Sequence, residues 1–272
     1  MVTLSTIVQI PRIGWQIDHT SKCLLLGSCF ADEIGSLMAH HGFDVVVNPL
    51  GALYNPLSIA NALDATQPVT MVQHNGLWHS LQHHSRFSGE DYDRTLEECV
   101  AANQALHRRL EEADTIIITF GSAYVYERAG QVVANCHKLP EGEFRRRRLT
   151  VDEIVKRWRA ILRHYEDKRW LFTVSPIRHL RDGLHENELS KATLLLAIDE
   201  LGADYFPAYE ILLDELRDYR YYGEDLTHPS KTAVEIIWER FEQTFMSPQT
   251  INGAHLRYKD YLRTQHRIIV QQ

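Results

Sequence analysis

The chain reads as an α/β protein: a three-layer α/β/α sandwich around a five-stranded parallel sheet. Three observations predict it. Short aliphatic runs (Leu24–Leu26, Asp44–Val47, Thr115–Phe120, Trp170–Val174, Asp204–Tyr209) alternate with segments of helical period, which is the pattern of βα units. The first unit closes as β-α-β within residues 24–47, a span that only a parallel pair with a helical crossover fills. Two runs break into Gly plus a small residue at their carboxyl ends, at Gly27-Ser28-Cys29 and Gly121-Ser122, and that rim is where open α/β sheets bind ligands.

In order, residues 1–22 read as irregular, with Pro11 and Gly14 as punctuation and Trp15 packed on the body. The helix over Ala31–His41 carries Ile34, Leu37 and Met38 at i, i+3, i+4, and Gly42 falls at its C-cap. Asn48–Pro56 (NPLGALYNP) is a loop leading into a helix over Pro56–Ala65 with proline in its first turn. Residues 69–89 lack clean periodicity and carry Trp78, Phe87, His74, His79, His83 and His84. That spacing fits no ligand helix, so a histidine-rich surface loop is expected rather than a metal site.

A long amphipathic helix over Asp91–Glu112 turns Leu96, Val100, Leu106 and Leu110 inward. Tyr124–Tyr126 and Val132–Ala134 flank Ala129-Gly130 as a small hairpin. Thr150 with Glu153 makes a capping box for a helix over Val151–Glu166. Helices follow over Glu186–Leu201, closed by Gly202, from Tyr209 through Leu216, and over Lys231–Phe245. The expected organisation is one domain over residues 1–246, with an insertion at about 66–112, and a helical appendage over 247–272.

Composition narrows the function. A net charge of −7 disfavours nucleic acid as a partner, because neutralising phosphates needs a basic surface. The one basic run, Arg145–Arg148, is flanked by acids and reads as a solvated face. Cys23, Cys29, Cys99 and Cys136 have no CxxC spacing, so neither zinc ligation nor a disulfide framework is indicated. No signal-peptide pattern and no run of 18 apolar residues occurs, so no membrane partner and a cytoplasmic location are expected.

The chemistry concentrates at two places. A nucleophile at the strand-to-helix turn (Ser28 or Cys29) meets the unpaired amides and positive dipole end of the helix, which favour its anion and a developing oxyanion. Asp225 and His228, three apart in DLTHPS just before a helix, can share one turn, the carboxylate orienting one ring nitrogen and leaving the other free as a base. Nucleophile, base, orienter and oxyanion donors are the roles acyl transfer needs, and they call for neither cofactor nor metal. No GxGxxG or GxxxxGK[ST] follows a strand, which disfavours a nucleotide-binding protein.

These residues carry a family resemblance. Gly27-Ser28-Cys29-Phe30-Ala31 resembles the motif of the GSCFA family, within the wider SGNH (GDSL-type) hydrolases. NPLGALYNP, FGSA, NCHK, SPIRHLRDG with the later SKA, and DLTHPS extend the likeness over most of the chain. The resemblance implies an SGNH-hydrolase-like, flavodoxin-like fold, with Asp225 and His228 as orienter and base and Gly51 as an oxyanion donor. Two departures follow. Ala123 stands where the group has an oxyanion asparagine, leaving Ser122, Asn55 or Asn135 as substitutes beside Gly121. The ungapped match to Gly-Asp-Ser-Leu puts Cys29 at the nucleophile position, and a shift of one residue would put Ser28 there. A catalytic Cys29 is expected to have a lowered pKa from its helix-start position and a nearby His228. The expected function is an acyl-ester hydrolase or acyltransferase acting on an O-acylated sugar or another small metabolite. A non-catalytic ligand-binding protein with a degenerate site is the alternative, and the oligomeric state stays open.

Overall fold

The computed structural model describes residues 5–269, with side chains through residue 265. Its central sheet holds β1 (Lys22–Gly27), β2 (Asp44–Val47), β5 (Thr115–Phe120), β9 (Arg169–Val174) and β10 (Asp204–Phe206). The order is β2-β1-β5-β9-β10, all pairs parallel. This is the flavodoxin-like order, in which the chain reverses its direction of travel between β1 and β5. The expected α/β/α sandwich is present.

The strands are buried on both faces, and alternation decides which helices each side chain meets. Leu24, Leu26, Ile116, Ile118, Trp170 and Phe172 join one core with α3 (Tyr92–Glu112), α4 (Val151–His164) and α5 (Leu184–Leu201). Leu25, Ile117 and Leu171 join a second with α1 (Cys29–His40), α7 (Lys231–Phe245) and α8 (Pro248–Ile269). Trp158 of α4 is fully buried in the first core, and its indole donates to the Pro56 carbonyl at 3.1 Å, at the start of α2 (Pro56–Ala62). The capping box at Thr150 and Glu153 closes as expected.

Three readings change. The inward side of α3 carries Thr95, Cys99, Leu106 and Leu110, whereas Val100 is exposed: the helix packs slightly rotated from the face its leucines suggest. Arg145–Arg148 is not merely a solvated face. It is a strand, β8, paired with β6 (Tyr124–Arg128), which also pairs β7 (Gln131–Val133). Arg146 reaches Asp182 and lies over the Tyr124 ring at 3.9 Å, while Arg147 reaches Glu127 and Glu153, so these charges are paired. Finally, the stretch after β10 is a short helix, α6 (Ala208–Glu210), continued as a π-helical turn over Ile211–Leu216.

The amino-terminal segment is irregular from residue 5, and Trp15 packs as expected, stacked on Phe245 with its indole donating to Asp204 at 2.8 Å. No described helix is long and apolar enough to cross a membrane.

Candidate active site

β1 ends at Gly27, whose φ of 146° and packing leave room for no side chain. A Cβ there would lie 2.1 Å from the Thr119 carbonyl oxygen. The Gly27 amide donates to Asn48 Oδ1 at 2.9 Å, and Asn48 donates in turn to Asp32 of α1 at 2.9 Å. Strand end, following loop and helix start are thereby tied together. Ser28 then takes the N-cap of α1 in extended conformation, but its side chain makes no capping bond. Its Oγ is buried without any partner, pressed toward Gly121 at the end of β5.

Cys29, the first residue of α1, is half-buried and its thiol is free. The amides of Cys29 and Phe30 favour its thiolate, yet burial and then Asp32 outweigh them and push the thiol's pKa up. The expected lowering is therefore overturned for the resting site: a proton must be taken from Cys29 before it attacks. No hydrogen bond joins His228 to Cys29 or Ser28 in this conformation.

Behind the thiol lies a residue to which the sequence reading gave no role. Lys191 of α5 is completely buried, donating to the Gly121 carbonyl at 2.7 Å and to the Ser175 carbonyl at 2.8 Å, at the ends of β5 and β9. Burial pulls its pKa down to about 7, with the charges of Glu188 and Cys29 acting the other way. Next to it, Ser190 accepts from the Ala123 amide at 2.8 Å, at the place where the SGNH asparagine is missing. The signal was present in the sequence: Asn187, Ser190, Lys191 and Leu194 share one face at i, i+3, i+4, i+7, and that face points into the core. His179, also unassigned, bonds the Gly121 carbonyl at 3.2 Å. Burial, with the charges of Lys191 and His228 adding to it, lowers its pKa to about 4.

The Asp225–His228 loop follows the same rim. The Arg178 amide, just beyond β9, donates to the Thr227 carbonyl at 3.0 Å. Asp225 Oδ2 holds His228 Nδ1 at 2.5 Å, and Asp225 Oδ1 accepts from the amides of Thr227 and His228, so one carboxylate fixes both ring and backbone. Those bonds, the His228 ring first, hold Asp225 well below the ordinary carboxylate range. The ring is about half exposed, with Nε2 unengaged.

The oxyanion candidates fare differently. The Gly51 amide is used within its own loop, donating to the Asn48 carbonyl at 2.7 Å, which corrects its expected role as a free donor in this conformation. Glycine is required there for another reason: φ is 87°, and a Cβ would lie 2.2 Å from His84 Cβ. The amides of Gly121 and Ser122 both donate to the Tyr54 carbonyl, at 2.8 and 2.9 Å. Asn55 caps α2, accepting from the Ser58 amide and donating to the Ser58 hydroxyl. Asn135 accepts from the His137 amide at 3.0 Å. The donors left at the elbow are the amides of Cys29 and Phe30, which face the Cys29 thiol, since that of Ala31 donates to the Ser28 carbonyl at 2.8 Å.

The histidine-rich stretch is a hairpin, β3 (Met71–His74) with β4 (Leu77–Ser80), and not simply a surface loop. His79 and His83 are buried beneath it. His79 bonds Ser88 at 2.7 Å, His83 bonds Ser80 at 2.7 Å, and His137 stacks on His79 while bonding the Ser80 carbonyl. No group of three possible metal ligands converges within this hairpin among the described residues.

No curated protein matches this chain. Among solved structures, a protein assigned to the lipolytic G-D-S-L family from Desulfitobacterium hafniense DCB-2 is similar at 11% identity with a TM-score of 0.40, over 82% of this chain and 99% of that one. The model of the GSCFA family matches residues 22–241, which takes in the elbow, both loops and the Asp-His pair. The chain belongs to the GSCFA family.

Proposed function

We propose that the protein is an SGNH-type acyl-ester hydrolase or acyltransferase with Cys29 as nucleophile, His228 as general base and acid, and Asp225 as orienter. The observation that carries this reading is the contrast at the elbow. Cys29 is half-buried, with its own amide and that of Phe30 facing the thiol, whereas the Ser28 hydroxyl is enclosed. A nucleophile must reach substrate, and Cys29 is the more open of the two.

In the proposed reaction, His228 Nε2 takes the thiol proton as Sγ attacks the acyl carbonyl carbon. The negative charge that develops on the carbonyl oxygen is held by the amides of Cys29 and Phe30. Collapse expels the alcohol, which receives the proton from His228, and leaves a thioester. Water or an acceptor alcohol, deprotonated by the same ring, then releases the acyl group. Lys191 supports the thiolate electrostatically from behind, in the place the missing asparagine leaves short of a donor. An O-acylated sugar or small metabolite is the proposed substrate class.

The raised Cys29 thiol and the engaged Gly51 amide favour a second reading, a ligand-binding protein with a degenerate site. Short p-nitrophenyl acyl esters and acetylated sugars, assayed with and without an added alcohol acceptor, decide between them. Turnover that disappears in Cys29→Ala supports the enzyme. Binding without turnover by either route supports the alternative.

A further inference from the structure

A second cluster of chemistry-bearing side chains sits far from the elbow, at the other end of α1. His41 follows the last residue of that helix, about 18 Å along its axis from Cys29. There it meets Glu242 of α7 and His255 of α8, and one possible ligand atom from each lies within 4.8 Å of the other two. His255 Nε2 is already 3.1 Å from Glu242 Oε2. Ligands bonded to zinc at about 2.0–2.2 Å in a tetrahedron stand about 3.4 Å apart, so small side-chain movements close the set.

Two features go beyond proximity. His41 Nδ1 donates to the Leu37 carbonyl at 2.7 Å, which fixes the tautomer and leaves Nε2 with a lone pair and no partner among the described residues. A backbone carbonyl holding the far nitrogen is the usual outer support of a metal-binding histidine. Glu242 is 2% exposed, and its Oε1 is buried with no well-formed hydrogen bond, the nearby Trp238 indole nitrogen being likewise unpartnered. A carboxylate oxygen left this way in an interior is costly unless a cation or proton meets it. The surroundings are rigid: His41 stacks on Tyr258 at 4.4 Å and contacts Trp238 at 5.2 Å. His255 is about half exposed, giving an entry path and room for a water as fourth ligand.

We propose that His41, Glu242 and His255 form a structural site for a divalent transition-metal ion, zinc by its donor set, that clamps α8 to the sandwich. Two imidazoles and one carboxylate suit zinc, and the ligands join the end of α1 to the consecutive helices α7 and α8. The clamp is independent of acyl chemistry, so its test does not rely on turnover.

The experiment uses the full chain, stripped with chelator, dialysed and titrated with zinc alone. Metal content, competition with a chromophoric chelator and thermal midpoint are the readouts. One ion per chain and a midpoint that rises with zinc are expected. His255→Ala, on a half-exposed residue and therefore expected to fold, should weaken binding on the order of 100-fold and abolish the thermal response. Glu242→Gln should do the same, and His84→Ala, just beyond the hairpin, should change neither. Cobalt in place of zinc should give the visible bands of a tetrahedral site in the wild type and lose them in His255→Ala. The assignment is overturned if the wild type takes up no zinc, if His255→Ala binds as tightly as the wild type, or if His84→Ala is the variant that loses the metal.

Discussion

Histidines meet two fates in this molecule. Under the β3–β4 hairpin, His79, His83 and His137 are buried, stacked or hydrogen-bonded to serine hydroxyls and a backbone carbonyl, and burial drives His83 down to about 4. At the sheet rim, His228 is half exposed, has no neutral partner on Nε2, and is gripped by a carboxylate through Nδ1. Burial favours the neutral forms of His83 and His137, whereas His228 presents an open ring nitrogen to the rim. His79 and His83 fall in a sequence cluster that His137 joins only through the fold; a single carboxylate three residues away marks the candidate base.

The contrast predicts which substitutions abolish activity and which only weaken the fold. Cys29→Ala should remove ester turnover by about 10³-fold or more, whereas Ser28→Ala should cost less than about tenfold in kcat/KM. The reverse order would transfer the nucleophile to Ser28. His228→Ala should lower kcat by about 10²–10⁴-fold with an unchanged melting temperature, since the ring is exposed. A large stability loss in that variant would move His228 into the structural set.

His83→Ala should do the opposite: activity per folded molecule is retained, and about 1–3 kcal/mol of stability is lost in denaturant titration through the missing hydrogen bond and packing. The pH dependence follows from the folded pKa of about 4 against an unfolded value of about 6.5. Below 6.5 the unfolded chain binds the extra proton, so the wild type should lose stability as pH falls from about 6.5 to 4, and His83→Ala should lose less. Lys191 gives the most diagnostic effect. Its folded pKa of about 7 lies below the unfolded 10.5, so the unfolded chain holds more protons between those values. Wild-type stability should therefore rise with pH across that window relative to Lys191→Met, in paired urea titrations. A slope identical in both proteins would mean that folding does not lower the Lys191 pKa.

Much of this was legible in the chain. The five strands, their parallel sense and the Gly-small breaks followed from aliphatic runs and short crossovers, because a strand buried on both faces must be apolar throughout. The Asp225–His228 contact followed from its spacing. Contacts between distant elements were not legible: Lys191 reaches Gly121 and Ser175 across the sheet, and no local pattern records that meeting. Electrostatic balance was misread for the same reason. The helix start argues for a low Cys29 pKa, but the enclosure that outweighs it is created by packing. The arginine run misled because its acidic partners lie at residues 127, 153 and 182, on three other segments.

That arginine strand has one more consequence. β8 is an outer strand of its three-stranded sheet, with a strand partner on one side only. Uncovered edges of this kind seed aggregation, and charged side chains are a common deterrent. Arg146, Arg147 and Arg148 are ion-paired, and Arg145 is left without an acidic partner among the described residues, so a second copy laid alongside meets that like charge and must disturb those pairs where its backbone would otherwise fit. Concentrated solutions should accordingly stay clear at low ionic strength and begin to associate through this edge only as salt screens the repulsion.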